Sequence, residues 1–180
     1  TLSPIFLDSV AYAKKLGFYR ILVATNGIRF AQSEEFTRQA REAGLHGTYL
    51  QFDGTTNEKN QHRGVANLLD VKLQAIENTA KVGMKTTLVT TIVNGINNDA
   101  VGPIVEFALK NIDKVQTVVL QPISFSGRDE EADDETRHAQ RYPLSQMVED
   151  LKKQFHGNWD PMRDWFPLSS YSAFTSLMDI

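Results

Sequence analysis

Four short apolar runs in this chain end in polar residues. Thr25-Asn26-Gly27 closes the first, Gln51 and Asp53 the second, Thr90, Thr91 and Asn94 the third, and Gln121 the fourth. Amides and hydroxyls both donate and accept, so such a set suits the orienting of a bound molecule. Stronger chemistry is missing or scattered. The chain has no cysteine, which excludes disulfides and thiolate metal sites within it. No pair among His46, His62, His138 and His156 has helical metal-ligand spacing, and only His62, beside Arg63, sits in a candidate active loop. Dinucleotide, P-loop and nucleophile-elbow motifs do not occur. Asp129-Glu130-Glu131 and Asp133-Asp134-Glu135 form a carboxylate run that reads as a solvated loop.

The polar residues need elements to hold them, and the pattern supplies an alternation of helix and strand. Ser3 and Pro4 can open a helix with Phe6, Val10 and Ala13 on one face and Gly17 as its stop. Tyr19–Ala24 reads as a buried strand. Ser33 caps a second helix, with Phe36, Ala40 and Ala43 inside and Gly44 at its end. A strand over Thr48–Asp53 follows. Leu69, Leu73, Ile76 and Ala80 mark a long helix closed by Gly83. Thr86–Val93 is a third strand, Val101, Ile104, Val105, Ala108 and Leu109 a helical stripe, and Val115–Leu120 a fourth strand. Pro143 opens a last helix, and an aromatic tail holds Trp159, Trp165, Phe166, Tyr171 and Phe174.

Strands alternating with helices imply a parallel sheet with right-handed crossovers. Apolar strands of this type are expected to be buried on both faces. Two closures are open at this point, a doubly wound sheet or part of a barrel. In either, function gathers at the C-terminal ends of the strands, where the polar residues lie.

With 180 residues the chain can bury a real core and is most simply one domain. A net charge of −3 argues against a nucleic-acid-binding surface. No apolar run approaches the roughly 18–20 residues of a membrane span, and no leader is visible, so a cytoplasmic setting is the default expectation. The opening Thr1-Leu2-Ser3-Pro4 reads as the start of an excised segment.

Several motifs, in order, resemble radical S-adenosylmethionine enzymes. Thr25-Asn26-Gly27 is similar to the T-N-G that ends a strand in that family, and residues 1–17 are similar to the segment just after its G-G-E-P. Leu50-Gln51-Phe52-Asp53-Gly54 with Arg63-Gly64 resembles a branch that includes archaeal tetraether lipid synthases and methanopterin-related enzymes. Thr91 to Asn98, Leu120-Gln121-Pro122 to Arg128, and Asp164-Trp165-Phe166-Pro167-Leu168 look like later segments of that branch. The family's C-x-x-x-C-x-x-C loop and G-G-E-P would lie upstream of Thr1.

The resemblance implies an α/β fold of four parallel βα units, the C-terminal part of a partial (β/α)6 TIM-like barrel over 1–127, with an acidic loop, last helix and aromatic tail over 128–180. It implies S-adenosylmethionine and a [4Fe–4S] cluster in the complete enzyme, the cluster ligands lying outside this chain. There the cofactor is cleaved to a 5′-deoxyadenosyl radical that removes hydrogen from substrate. Thr25 and Asn26 would face the cofactor, Gln51 and Asp53 its ribose or methionine groups, and Arg63 its carboxylate. Thr91, Asn97, Leu120 and Gln121 would line the adenine end. The substrate would be a small molecule, lipid-like or pterin-like, and the open sheet edge left by absent upstream strands would favour a dimer. The competing reading is a non-redox α/β module binding a small phosphorylated or sugar ligand, with backbone donors of the Asn94–Asn98 loop as its anion seat.

Overall fold

Extended runs rich in Val, Thr and Leu, each reached through a helix, leave little choice but parallel pairing. The computed structural model describes residues 3–60, 67–125 and 133–164. Strands β1 (Leu22–Thr25), β2 (Gly47–Gln51), β3 (Lys85–Ile92) and β4 (Val115–Pro122) form one sheet in the order β1-β2-β3-β4, and every neighbouring pair is parallel. The helices are α1 (Phe6–Lys15), α2 (Ile28–Gln32), α3 (Glu34–Ala43), α4 (Asn57–Asn60), α5 (Leu68–Lys81), α6 (Val101–Lys110), α7 (Asp134–Gln140), α8 (Leu144–Gln154) and α9 (Pro161–Asp164).

Side chains alternate across the strands, and one of the two sets meets the helices. Leu50, Phe52 and Leu88 pack with Ile76 of α5 and with Ile104 and Ala108 of α6. Phe52 also stacks on Phe107, ring centres 5.0 Å apart. At the other end Val10, Phe30, Phe36, Ala40, Ala75 and Met84 join α1, α2, α3 and α5. Each large apolar side chain so buried contributes about 1.5–3 kcal/mol. Buried hydroxyls are paired within the same layer, Thr86 with Thr48 at 3.3 Å and with Thr79 at 3.2 Å. The short helix α2 leaves carbonyls open at its C-terminal end, and the buried Asn78 amide donates to those of Phe30 and Ala31.

A third cluster ties α8 to the sheet, with Ile92, Val101, Tyr142, Met147 and Leu151 at its centre. The Tyr142 hydroxyl donates to Asp150 at 2.9 Å, and burial together with that carboxylate pushes the phenol well above its usual pKa. Helices α6 and α8 approach closely at Gly102, whose N–H donates to Gln154 at 3.1 Å.

Several expectations change. The first strand begins at Leu22 and not at Tyr19, which is 91% exposed. The Ile21 N–H goes to the His46 ring at 3.1 Å, and the Ile21 carbonyl accepts from His46 N–H at 2.9 Å. Ser3 does not cap α1 through its side chain, and Ile5 holds the cap position. Part of the carboxylate run is helical. Asp133 accepts the Thr136 N–H at 2.7 Å, the Thr136 hydroxyl and that N–H together hold its carboxyl below the ordinary range, and Asp134 and Glu135 lie at the positive end of α7. Burial on both sheet faces also fails: Ala24, Tyr49, Thr117 and Gln121 are exposed on the face opposite Leu50 and Leu88. Of the aromatic tail, Trp159 packs against the α8 cluster, and residues 165–180 lie outside the described residues.

Gly27 sets the exit from β1. It stands at φ +85°, the left-handed region, and a Cβ there would come within 2.7 Å of the buried Leu50 Cδ1. Gly27→Ala is expected to lower the unfolding free energy by about 1–2 kcal/mol from backbone strain alone, read as a lower urea midpoint.

Candidate functional site

At the C-terminal ends of the strands, on the face the helices leave open, the surface sinks into a groove of about 520 Å³. Thr25, Asn26, Gln51, Thr91 and Gln121 line it, together with Ala24, Tyr49 and Val89. The register explains the grouping. Gln51 pairs with Val89 and Thr91 with Gln121, so their side chains share one face. Ala24 and Tyr49 are paired one level further down.

Among the described residues no carboxylate, ammonium or guanidinium lines the groove. Its polarity comes from amides and hydroxyls. Several of these are partly committed: Thr25 Oγ1 accepts from Gly27 N–H at 3.1 Å, Asn26 Oδ1 accepts from Ile28 N–H at 3.2 Å, and Gln51 is engaged as well. The first two bonds shape the turn into α2 and leave the Asn26 amide group as a donor toward the groove rim. The arrangement can orient a neutral polar ligand.

Five of the nine residues expected at the site thus meet. Asp53 and Asn97 lie outside the lining. Asp53, expected as a rim carboxylate, is 0% exposed, and its Oδ1 accepts from Thr91 N–H at 3.4 Å. Asn97 is 2% exposed, and its amide is fully engaged with main chain. Asn97 Nδ2 donates to Asp53 O at 3.1 Å and Thr91 O at 2.9 Å, and Oδ1 accepts from Val93 N–H at 2.8 Å. These two residues join the end of β2 to the end of β3 from behind and so fix where Thr91 stands. The Leu120 side chain packs against the cluster of Ile92, Val101 and Met147 on the helix side, because its partner in register is Thr90, which also points there. Only its main chain can serve the groove. Arg63 lies outside the described residues.

Tyr49 was missed: it stands on the groove face two positions before Gln51, and strand alternation alone would have found it.

In the Asn94–Asn98 loop, expected as an anion seat on the competing reading, four N–H groups are already committed, Asn94 to Gln140 O, Gly95 to Asn98 Oδ1, and both Ile96 and Asn97 to Val93 O. Its side chains hold α7 and α8, through Asn94 to Ala139 O and Asn98 to Asp150.

No family model matches the chain. A curated protein of Methanocaldococcus jannaschii, a 7,8-dihydro-6-hydroxymethylpterin dimethyltransferase, is 33% identical over 173 residues. The match takes in 96% of this chain and 33% of that protein, so the chain spans about a third of the length of the curated relative. The chain is thus similar to part of an enzyme.

Asn97→Ala is expected to leave the Val93 N–H and two carbonyls without their side-chain partner. Each buried group so stranded costs about 1–3 kcal/mol, so the unfolding midpoint in urea should fall well below wild type. Asn97→Asp keeps the acceptor for Val93 and loses both donors, and its midpoint should lie below wild type as well.

Proposed function

We propose that this chain is the later part of the barrel of a radical S-adenosylmethionine enzyme, and that its groove orients the ribose and adenine of the cofactor. The observation that carries the reading is the meeting of Thr25, Asn26, Gln51, Thr91 and Gln121 in one groove at the strand ends, where the motif resemblance puts the cofactor. Three further features support it. The strand order follows the chain order without reversal, as in a barrel and unlike a doubly wound sheet. The open sheet face is the one a closing barrel would turn inward. The similar protein is a methyl-transferring enzyme by name.

The donor set fits this part of the cofactor. Amide groups of Asn26, Gln51 and Gln121 and hydroxyls of Thr25 and Thr91 match a ribose diol and a purine edge, both neutral. When bound, the cofactor and its cluster supply the radical chemistry. This chain's residues bind, orient and keep water from the reacting groups. Cysteine being absent, cluster ligands would come from outside it. The substrate would be a small molecule of lipid-like or pterin-like kind.

Three measurements bear on this reading. The gene product that contains this chain, reconstituted anaerobically with iron and sulfide and then reduced, should convert S-adenosylmethionine to 5′-deoxyadenosine. A cluster-loaded protein that forms none would sink the proposal. Gln51→Ala and Gln121→Ala should each weaken S-adenosylmethionine binding by about two- to tenfold in calorimetry, the worth of one neutral hydrogen bond. The 180-residue chain by itself should acquire no cluster and should self-associate. Among the described residues its β1 has no neighbour on one side, and Leu16, Phe18 and Tyr19 are exposed nearby in sequence. Light scattering at rising concentration should find a species larger than a monomer.

A further inference from the structure

One level below the strand ends the groove has a floor that the proposed cofactor contacts leave unused. Ala24 pairs with Tyr49, Tyr49 with Thr87, and Thr87 with Thr117. Tyr49 belongs to an interior strand, with a neighbour on each side, yet is 39% exposed. Tyrosine rings carry a large apolar surface that is normally packed. Here no aromatic contact and no hydroxyl partner occurs among the described residues. Ala24 beside it is exposed and offers only a methyl group, so there is lateral room next to the ring.

The surroundings restrict what could fill that room. Gln51 stands two residues along the same strand, about 6–7 Å away by strand rise, and Thr91 and Gln121 lie beyond. An alkyl chain would strip these amides of water and return no hydrogen bonds. An ionic group would find no opposite charge among the described lining residues. A flat ring with donors and acceptors on its edge meets both conditions, its face on Tyr49 and its edge toward the amides.

We propose that Tyr49 is the platform for a planar, uncharged nitrogen heterocycle, bound as substrate beneath the cofactor. The inference rests on the function proposed above, and it favours a pterin-like substrate over a lipid chain. Adenine has the same chemistry, so the cofactor's own base is the competing source of such a ring.

The test is equilibrium dialysis of the gene product that contains this chain. One arm uses 7,8-dihydro-6-hydroxymethylpterin and the other S-adenosylhomocysteine. Tyr49→Ala should weaken pterin binding by about tenfold or more, and Tyr49→Phe by no more than about threefold, because the ring face is what stacks. Ala24→Phe should also weaken it about tenfold by filling the seat at an exposed position, with Tyr49 intact. S-adenosylhomocysteine binding should stay within about twofold in all three. Wild-type protein that does not bind the pterin, or unchanged affinity in both Tyr49→Ala and Ala24→Phe, overturns the proposal. Loss of S-adenosylhomocysteine binding in those variants assigns the ring to adenine and overturns it as well. Pterin losses as expected, with S-adenosylhomocysteine unbound by wild type, would uphold the Tyr49 seat and remove the cofactor reading instead.

Discussion

Alternation along four parallel strands, laid side by side in chain order, is the constraint on which the other features depend. A right-handed crossover puts each connecting helix on the same side of the sheet when the order never reverses. Every second strand residue is therefore committed to a helix-packed core, as Leu50 and Leu88 are. The remaining residues face away and are released from packing. That release lets Ala24, Gln51, Thr91 and Gln121 be small or polar, and it lets Tyr49 keep a ring in the open.

The groove keeps its shape because its rear is tightly bonded. Asn97 and Asp53 occupy the strand-end level outside the groove lining; Asn97 spends its side-chain amide on main chain, and Asp53 Oδ1 accepts from Thr91 N–H. The loop that carries Asn97 is held in turn by α7 and α8, through Asn94, Asn98 and Gln154. Residues far apart in sequence thereby set the position of a strand end to within hydrogen-bond tolerance. A site assembled from neutral groups depends on such placement, since among the described lining residues no strong charge is available to correct a misplaced donor.

Much of this was legible from residue patterns, and the exceptions have physical causes. Helix stops at Gly17 and Gly44, the Ser33 cap and the extents of β3 and β4 agree with the pattern to within a residue or two. The Ser33 hydroxyl accepts from Phe36 N–H as its type suggested. Tyr19 was misjudged because apolar character was read as burial, whereas among the described residues β1 has a partner on one side only. The helices α2 and α7 were missed because each is short and starts from a local device, a left-handed Gly27 and an Asp133 cap, rather than from a hydrophobic period. Strand-end position brought Thr25, Asn26, Gln51, Thr91 and Gln121 to one groove. It could not tell a side chain in the groove from one behind it, since that depends on the parity of the register, which placed Leu120 on the far side.

Chain order and spatial order coincide in this sheet, and that has a consequence for biogenesis. Each strand finds its partner in the strand made just before it, Leu22 with Gly47, Lys85 with Gly47 and Val115 with Thr86. A nascent chain leaving the ribosome can therefore dock one βα unit on the last, without a strand waiting for a partner still to be synthesised. Only the clasp of α8 on the loop after β3 arrives late, so the strand ends would be the last part of the sheet to become rigid.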